Sequence, residues 1–220
     1  MRFFHSIYRF IQKMVSLYFY IPNLIGYARI ILMFVAYLFA QTNPYIFFLS
    51  YFSSQFLDMF DGMAARAFNQ STKFGALLDM VTDRCSTVGL LLVLSHRYPQ
   101  YTLGCHFFIW LDIFSHWAHM LATLKAGNQS HKIVKDGPWL LRYYYATKWF
   151  MVLLIFGAEG WPCTMYMLSF DYLLPPYYLL PLKLLKYVLL PLFMLKHIVN
   201  VIQFFHAANS LDEIGEKKNN

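Results

Sequence analysis

The chain has 220 residues, of which 59% are hydrophobic, 20% aromatic and only 13% charged. Soluble domains carry about 25% charged residues, so this composition, with a mean hydropathy of +0.43, excludes an ordinary water-soluble domain and indicates one membrane bundle spanning 1–220. The net charge of +7 does not point to nucleic acid as a partner: the basic residues gather on no soluble module, and in a membrane chain excess Lys and Arg reports orientation.

Each membrane helix needs roughly 20 apolar residues, and the sequence supplies six such segments. Residues 1–20 alternate apolar side chains with Arg2, Arg9 and Lys13 and hold no acid, the pattern of an amphipathic helix lying in the interface. Lys13 interrupts the apolar run and no small-residue cleavage site follows, so this segment does not read as a leader peptide. Pro22-Asn23 opens a span over 24–40, and "QTNP" punctuates before a second over 45–68. "NQSTK" is a polar loop, a third span covers 74–95, and "HRYPQY" turns the chain into a fourth over 102–124. A polar, basic stretch from Lys125 to Lys148 precedes a fifth span over 149–169. Pro175-Pro176 then break the chain, a sixth span covers 184–207, and 205–220 forms a charged cytosolic tail. The fold class expected is therefore an all-α integral membrane protein with six transmembrane helices and an N-terminal interfacial helix. Cys85, Cys105 and Cys163 are odd in number and far apart, which suits packing rather than a disulfide or metal set.

Six spans put both termini on one side of the membrane. The segments on that side hold twelve Lys and Arg, from Arg2 to Lys218, against Arg97, Lys183 and Lys186 opposite. The rule that positive loops stay inside makes both termini, and the loop 69–73, cytosolic.

Six acids fall inside apolar spans: Asp58, Asp61, Asp79, Asp83, Asp112 and Glu159. An ionised side chain at the bilayer centre costs about 2.5–3.5 kcal/mol on the lenient insertion scale, so such residues mark functional sites. Asp58, Asp61, Gly62, Ala65 and Arg66 fall on one stripe of one helix, and Gly75, Asp79, Thr82, Asp83 and Ser86 on one stripe of the next. A short loop joins the two helices, which predicts antiparallel neighbours with facing polar stripes. Four clustered carboxylates repel one another; protonation relieves this, and so do divalent cations. An all-oxygen donor set favours Mg²⁺ or Mn²⁺, and four acids can hold two ions of the kind that assist phosphoryl transfer. Hydrogen bonding between spans is the competing structural use of intramembrane acids.

The run from Asp58 to Asp83 has the form D-x2-D-G-x2-A-R-x8-G-x3-D-x3-D and resembles the signature of the CDP-alcohol phosphatidyltransferase family at all eight positions. The resemblance implies a six-helix membrane fold, usually a homodimer, that moves a phosphatidyl group from a CDP-linked lipid to an alcohol and releases CMP. It implies that Asp58, Asp61 and Asp79 are ligands of Mg²⁺ or Mn²⁺ (two ions) and that Asp83 is the proton acceptor and also part of the metal cluster. Gly62 leaves room for the nucleotide to approach the helix, Arg66 suits the diphosphate as a fork donor, with an interfacial snorkelling residue as the alternative, and Thr72 in the loop adds a hydroxyl contact. The motif positions Ala65 and Gly75 are placed with them on the nucleotide side, and Asn23, just before the first span, sits where the family contributes to the nucleotide pocket.

The stretches "YIPNLIGYARI", "LLDMVTDRCST", "LDIFSHWAHM", "GNQSHK" and "LRYYY" are similar to the inositol-using branch of that family, the eukaryotic phosphatidylinositol synthases. This implies CDP-diacylglycerol and myo-inositol as substrates and an endoplasmic reticulum location, with the Golgi as the alternative. Gly26 stands where many family members carry Thr or Ser, and Lys148 where the inositol enzymes carry Arg; Lys lacks the bidentate fork. Asp112, His116 and His119 share one face of the fourth span, which reads as an interhelical polar seam, with a polyol contact or a metal site as alternatives. Ser130, His131 and Lys132 read as loop residues, and Arg29, Arg84, Lys196 and Glu159 as ion-pairing groups whose partners the sequence leaves open. Three rival functions stand at this level: the same chemistry with serine or glycerol 3-phosphate as acceptor, a divalent cation transporter, and a catalytically inactive membrane scaffold, against which the intact motif argues.

Overall fold

Asn43 and Thr72 mark two of the helix starts with side-chain caps. In the computed structural model, which describes residues 16–125 and 137–219, α1 spans Ile21–Phe39, α2 Pro44–Ala67, α3 Lys73–Arg97, α4 Thr102–Lys125, α5 Trp139–Ala146, α6 Lys148–Leu168 and α7 Pro176–Asn219. Short 3₁₀ turns occupy Pro99–Tyr101 and Asp171–Leu173, and the described residues contain no strand. Asn43 caps α2, its side-chain oxygen accepting from the Tyr45 and Ile46 N–H groups at 3.1 Å each, with Pro44 in the first turn, where a missing N–H does no harm.

The loop after α2 is built with equal economy. Asn69 takes the left-handed conformation at φ 53°, and the Gln70 N–H returns to the Ala65 carbonyl at 2.9 Å, closing the helix end as a Schellman turn. Thr72 Oγ1 then accepts from the Gly75 N–H at 3.0 Å and opens α3. Gln70 Oε1 meanwhile accepts from the Ile21 N–H at 2.9 Å, so the same loop satisfies the first turn of α1.

Contacts divide the chain into two compact units, one through Gly89 and one from Leu90, with the boundary inside α3. In the first unit α1 packs along α2 around Met33, Ala36, Phe47 and Tyr51. The first half of α3 comes close to α1: a methyl group on Gly26 would stand 2.9 Å from Leu78 Cδ2, which is why a larger residue is absent there. The Tyr37 ring fills the space over Gly89, and its hydroxyl donates to the Ser86 carbonyl at 2.9 Å.

In the second unit α7 is the spine against which α4 and α6 pack. One apolar cluster joins Leu91, Leu94, Cys105, Met165 and Phe193, and another joins Leu141, Tyr144, Leu154 and Val199. Gly157 lets the α6 backbone approach Leu192, whose main-chain carbon would lie 3.1 Å from an added methyl. Arg97 donates to the Ser169 carbonyl at 2.7 Å and rests over the Phe170 ring at 3.9 Å.

Three helices are long and apolar enough to cross a membrane: Ile21–Phe39, Lys148–Leu168 and Pro176–Asp212. Leu38, Leu103 and Leu180 each turn at least 65% of their surface outward, an arrangement suited to lipid rather than water. The protein is an all-helical integral membrane protein over the described residues. α2, α3 and α4 have 24, 25 and 24 residues and carry Asp58, Asp61, Asp79, Asp83 and Asp112, which lower their hydropathy.

Two sequence expectations change. The sixth span, read as 184–207, is part of one helix over Pro176–Asn219. Pro176 starts that helix rather than ending the chain's order, and Pro181 and Pro191 lie within it; membrane helices tolerate such prolines. The stretch read as polar between Lys125 and Lys148 contains the helix α5, which buries Leu141 and Tyr144 three residues apart. The expected interfacial helix over 1–20 falls mostly outside the described residues, as do Ser130, His131 and Lys132. The three cysteines are free.

Candidate active site

The stripes on α2 and α3 meet. Asp58, Asp61 and Asp79 each place a carboxylate oxygen within 4.8 Å of the others, and what lies between them is the guanidinium of Arg29 from α1. Arg29 Nη1 is 2.7 Å from Asp58 Oδ1, 2.7 Å from Asp61 Oδ2 and 3.1 Å from Asp79 Oδ1. Its other terminal nitrogen, Nη2, donates to Asp83 Oδ1 at 2.5 Å. The Arg29 side chain is 1% exposed, whereas those of Asp58, Asp79 and Asp83 are 33–40% exposed; the acids form a mouth and the arginine its floor. Four negative charges against one positive leave a formal −3.

Arg29 is the residue that sequence reasoning missed as part of the site. The signal was present: Pro22, Gly26, Arg29, Met33 and Ala36 are all buried at the 3.6-residue period of one helix face. An arginine on an inward stripe of small and apolar residues must meet acids. The backbone of α1 is tied in at this position, since Ser54 Oγ donates to the Arg29 carbonyl at 3.0 Å.

A turn further into the first unit, Ser86 collects a polar cluster. Gln55 Nε2 donates to Ser86 Oγ, and the Tyr51 hydroxyl lies 3.2 Å from the same oxygen. Toward the loop, Gly75 faces Asn23 and Thr72: a methyl on Gly75 would be 3.0 Å from Asn23 Oδ1 and 3.2 Å from Thr72 Oγ1. Asn23 Nδ2 donates to the Leu17 carbonyl at 2.7 Å, but its Oδ1 is buried without a partner. Gly62 lies beside Arg66, whose Nη1 would stand 3.5 Å from an added methyl. Ala65 is half-buried, and Arg66 is exposed at the end of α2.

Buried polar atoms are nearly always hydrogen-bonded, and exceptions point to missing water, ions or ligands. Among the described residues the unpartnered ones are Asn23 Oδ1, Arg29 Nε, Thr82 Oγ1 and Gln203 Oε1; the first three belong to this unit. The carboxylates also pass a geometric test for a hard cation. Ligand oxygens at 2.0–2.1 Å from Mg²⁺ lie about 2.9 Å apart when adjacent and about 4.2 Å apart when opposite, so oxygens within 4.8 Å of one another are near enough to draw in around one ion. The residues present therefore fit divalent cations of the type an all-oxygen set prefers.

Of Asp112, His116 and His119, the first two meet, His116 Nδ1 lying 3.5 Å from Asp112 Oδ1. Asp112 is 3% exposed and accepts from Asn200 Nδ2 of α7 at 3.1 Å. His116 Nδ1 lies 2.8 Å from the Asp112 carbonyl, and the His119 ring stacks on Tyr145 at 5.4 Å. Lys196 Nζ donates to Asn200 Oδ1, and Gln203 Nε2 to the Ser115 carbonyl at 3.4 Å. This is a polar seam between α4 and α7, legible on the α7 side as Lys196, Asn200 and Gln203 at i, i+4 and i+7. Lys148 is exposed at the first residue of α6.

Comparison with known proteins gives a consistent result. The family model described as CDP-alcohol phosphatidyltransferase matches residues 19–208. The chain is 41% identical over 219 residues to the CDP-diacylglycerol--inositol 3-phosphatidyltransferase of Schizosaccharomyces pombe, covering 91% of this chain and 92% of that protein. It is 41% identical over 157 residues to the Homo sapiens protein of the same name, covering 71% and 74%. The protein of that name from Candida albicans is 50% identical over 131 residues, covering 59% and 57%. No solved structure matches the chain.

Proposed function

Because the chain belongs to the CDP-alcohol phosphatidyltransferase family, we propose that it transfers the phosphatidyl group of CDP-diacylglycerol to myo-inositol, forming phosphatidylinositol and CMP. The observation that carries the chemistry is the gathering of the four motif aspartates around one buried cation. The acceptor is supported by relatives named as inositol 3-phosphatidyltransferases, one of them similar over nearly its whole length.

When bound by Asp58, Asp61 and Asp79, with Asp83 beside them, two Mg²⁺ or Mn²⁺ ions would neutralise charge on the diphosphate and on departing CMP. The chain's own groups do the rest. Asp83 takes the proton of an inositol hydroxyl, since a carboxylate within hydrogen-bond reach can serve as base. The freed oxygen forms a bond to the lipid-side phosphorus, and the bond from that phosphorus to the bridging oxygen breaks, releasing CMP. Gly62 and Ala65 leave room for the nucleotide beside α2, and Arg66 supplies a fork for its diphosphate. Gly75 keeps open the gap toward Asn23 and Thr72, whose oxygens face it.

The two units are read as halves of one membrane domain, because the family match runs through both. α1, α2, α3, α4, α6 and α7 form the six spans of this reading; a helix of 24 residues is roughly 36 Å long, enough to cross. Both termini and the acidic site face the cytosol by the charge bias of the loops, the acyl chains stay in the bilayer, and inositol arrives from water. A homodimer in the endoplasmic reticulum completes the proposal, on family resemblance.

The deciding experiment supplies the purified full-length protein with Mg²⁺ or Mn²⁺, CDP-diacylglycerol and one alcohol at a time. CMP release with myo-inositol, and none with serine or glycerol 3-phosphate, is the expected result. Release with serine or glycerol 3-phosphate alone would assign the acceptor to that alcohol instead.

A further inference from the structure

We propose that Arg29 is a built-in counter-cation: it holds the four motif carboxylates together while they are metal-free and occupies, with Nη1, the position that a divalent ion must take. The inference rests on the two-metal reading of the site and adds to it a residue outside the motif that sets how readily the site loads.

A guanidinium Nη carries two hydrogens, yet Arg29 Nη1 faces three carboxylate oxygens at 2.7, 2.7 and 3.1 Å. Such a nitrogen acts as a centre of charge among ligands rather than as one arm of a paired fork. Nε, by contrast, is buried with no partner. A buried donor left unsatisfied is unfavourable, so the pose is dictated by attraction at the tip of the side chain, against the needs of its stem.

Distances make the two occupants exclusive. Oxygens of Asp58, Asp61 and Asp79 within 4.8 Å of one another suit a nitrogen at hydrogen-bonding distance. A Mg²⁺ or Mn²⁺ ion held by the same three oxygens at about 2.0–2.2 Å would lie inside the contact distance of Nη1 and repel it. Arg29 therefore cedes that place as the site loads. It cannot become neutral instead, because an arginine stays protonated in proteins.

Without Arg29 the half-buried carboxylates of Asp58, Asp79 and Asp83 and the buried one of Asp61 would repel one another with no cation between them. With Arg29 they stay in register for loading, and the ion must displace a guanidinium to bind. The residue thus stabilises the metal-free protein and weakens metal binding at once, two effects that a merely structural arginine would not join.

The test uses the full-length protein in detergent and follows free Mn²⁺ by electron paramagnetic resonance, alongside the Tm with and without Mn²⁺. Arg29→Gln should bind Mn²⁺ about tenfold tighter than the parent, a usual size for coupled binding. Its metal-free Tm should fall, and saturating Mn²⁺ should return it close to the parent's saturated value. Arg29→Lys, which keeps one charge without the fork, should bind nearer to the parent than Arg29→Gln does. If Arg29→Gln folds only with metal, it is prepared in Mg²⁺ and its Mn²⁺ affinity read by competition. Unchanged or weaker Mn²⁺ binding by Arg29→Gln, with the parent binding normally, overturns the counter-cation role alone. No Mn²⁺ binding by the parent overturns the two-metal reading and this inference with it.

Discussion

Asp83 Oδ1 accepts from Arg29 Nη2 at 2.5 Å, whereas Asp58, Asp61 and Asp79 share the neighbouring Nη1. The fourth carboxylate thus stands at the edge of the group that fits one ion, where a base that must reach a substrate hydroxyl would stand. Asp83→Asn should lower phosphatidylinositol formation by about 10²–10⁴-fold, the usual contribution of a general base, while the protein still inserts and folds. Incorporation of labelled inositol in membranes carrying the variant measures this, and retained turnover would refute the assignment.

Asp61 is the most buried of the three acids around Nη1, its side chain 10% exposed against 40% for Asp58 and 39% for Asp79. Chelation of divalent cations should stop CMP release, and added Mg²⁺ or Mn²⁺ should restore it. Asp61→Asn should weaken Mn²⁺ binding by about tenfold or more, as loss of even an outer partner of a ligand costs 10–100-fold. Isothermal titration with Mn²⁺ reads the difference.

Gly157 makes its close approach to main chain rather than to a flexible side-chain end. A methyl there would meet Leu192 Cβ and stand 3.1 Å from the Leu192 carbonyl carbon, so α6 and α7 would have to separate. Gly157→Ala should destabilise the protein by about 1–3 kcal/mol, the range for overpacked cores. Gly26→Ala should cost less, because Leu78 Cδ2 at 2.9 Å is the end of a side chain that can rotate. A comparison of the two Tm values in detergent tests the ranking.

Asn200 donates to Asp112 and accepts from Lys196, linking a buried acid on α4 to a buried base through one amide. Asn200→Leu should lower stability by about 0.6–2 kcal/mol, the span for hydrogen bonds between membrane helices, and should leave Mn²⁺ affinity unchanged. A loss of Mn²⁺ binding in this variant would contradict a seam role and favour a metal role for the Asp112 trio.

Much of this protein was readable before folding because its decisive pattern is local. Asp58, Asp61 and Gly62 lie within one turn of α2, and Asp79 and Asp83 within one turn of α3; helical periodicity alone puts each set on one face. The loop 69–73 is short enough to bring the two helices together. The same locality explains where reading from sequence stopped short. Pro175-Pro176 looked like a break, yet Pro at a helix start is favourable, and only the packing of α4 and α6 along α7 shows how far that helix runs.

Arg29 is the sharpest case of what sequence could not decide. It precedes its nearest acid partner by 29 positions and Asp83 by 54, so no helical period connects them. The sequence by itself determined the chemistry on offer, four carboxylates and an arginine in apolar helices, because residue type and spacing along one helix set what each face presents. Which cation the carboxylates meet was decided only by tertiary structure, because the distance between side chains on different helices depends on how closely α1, with its small Gly26, can lie against Leu78.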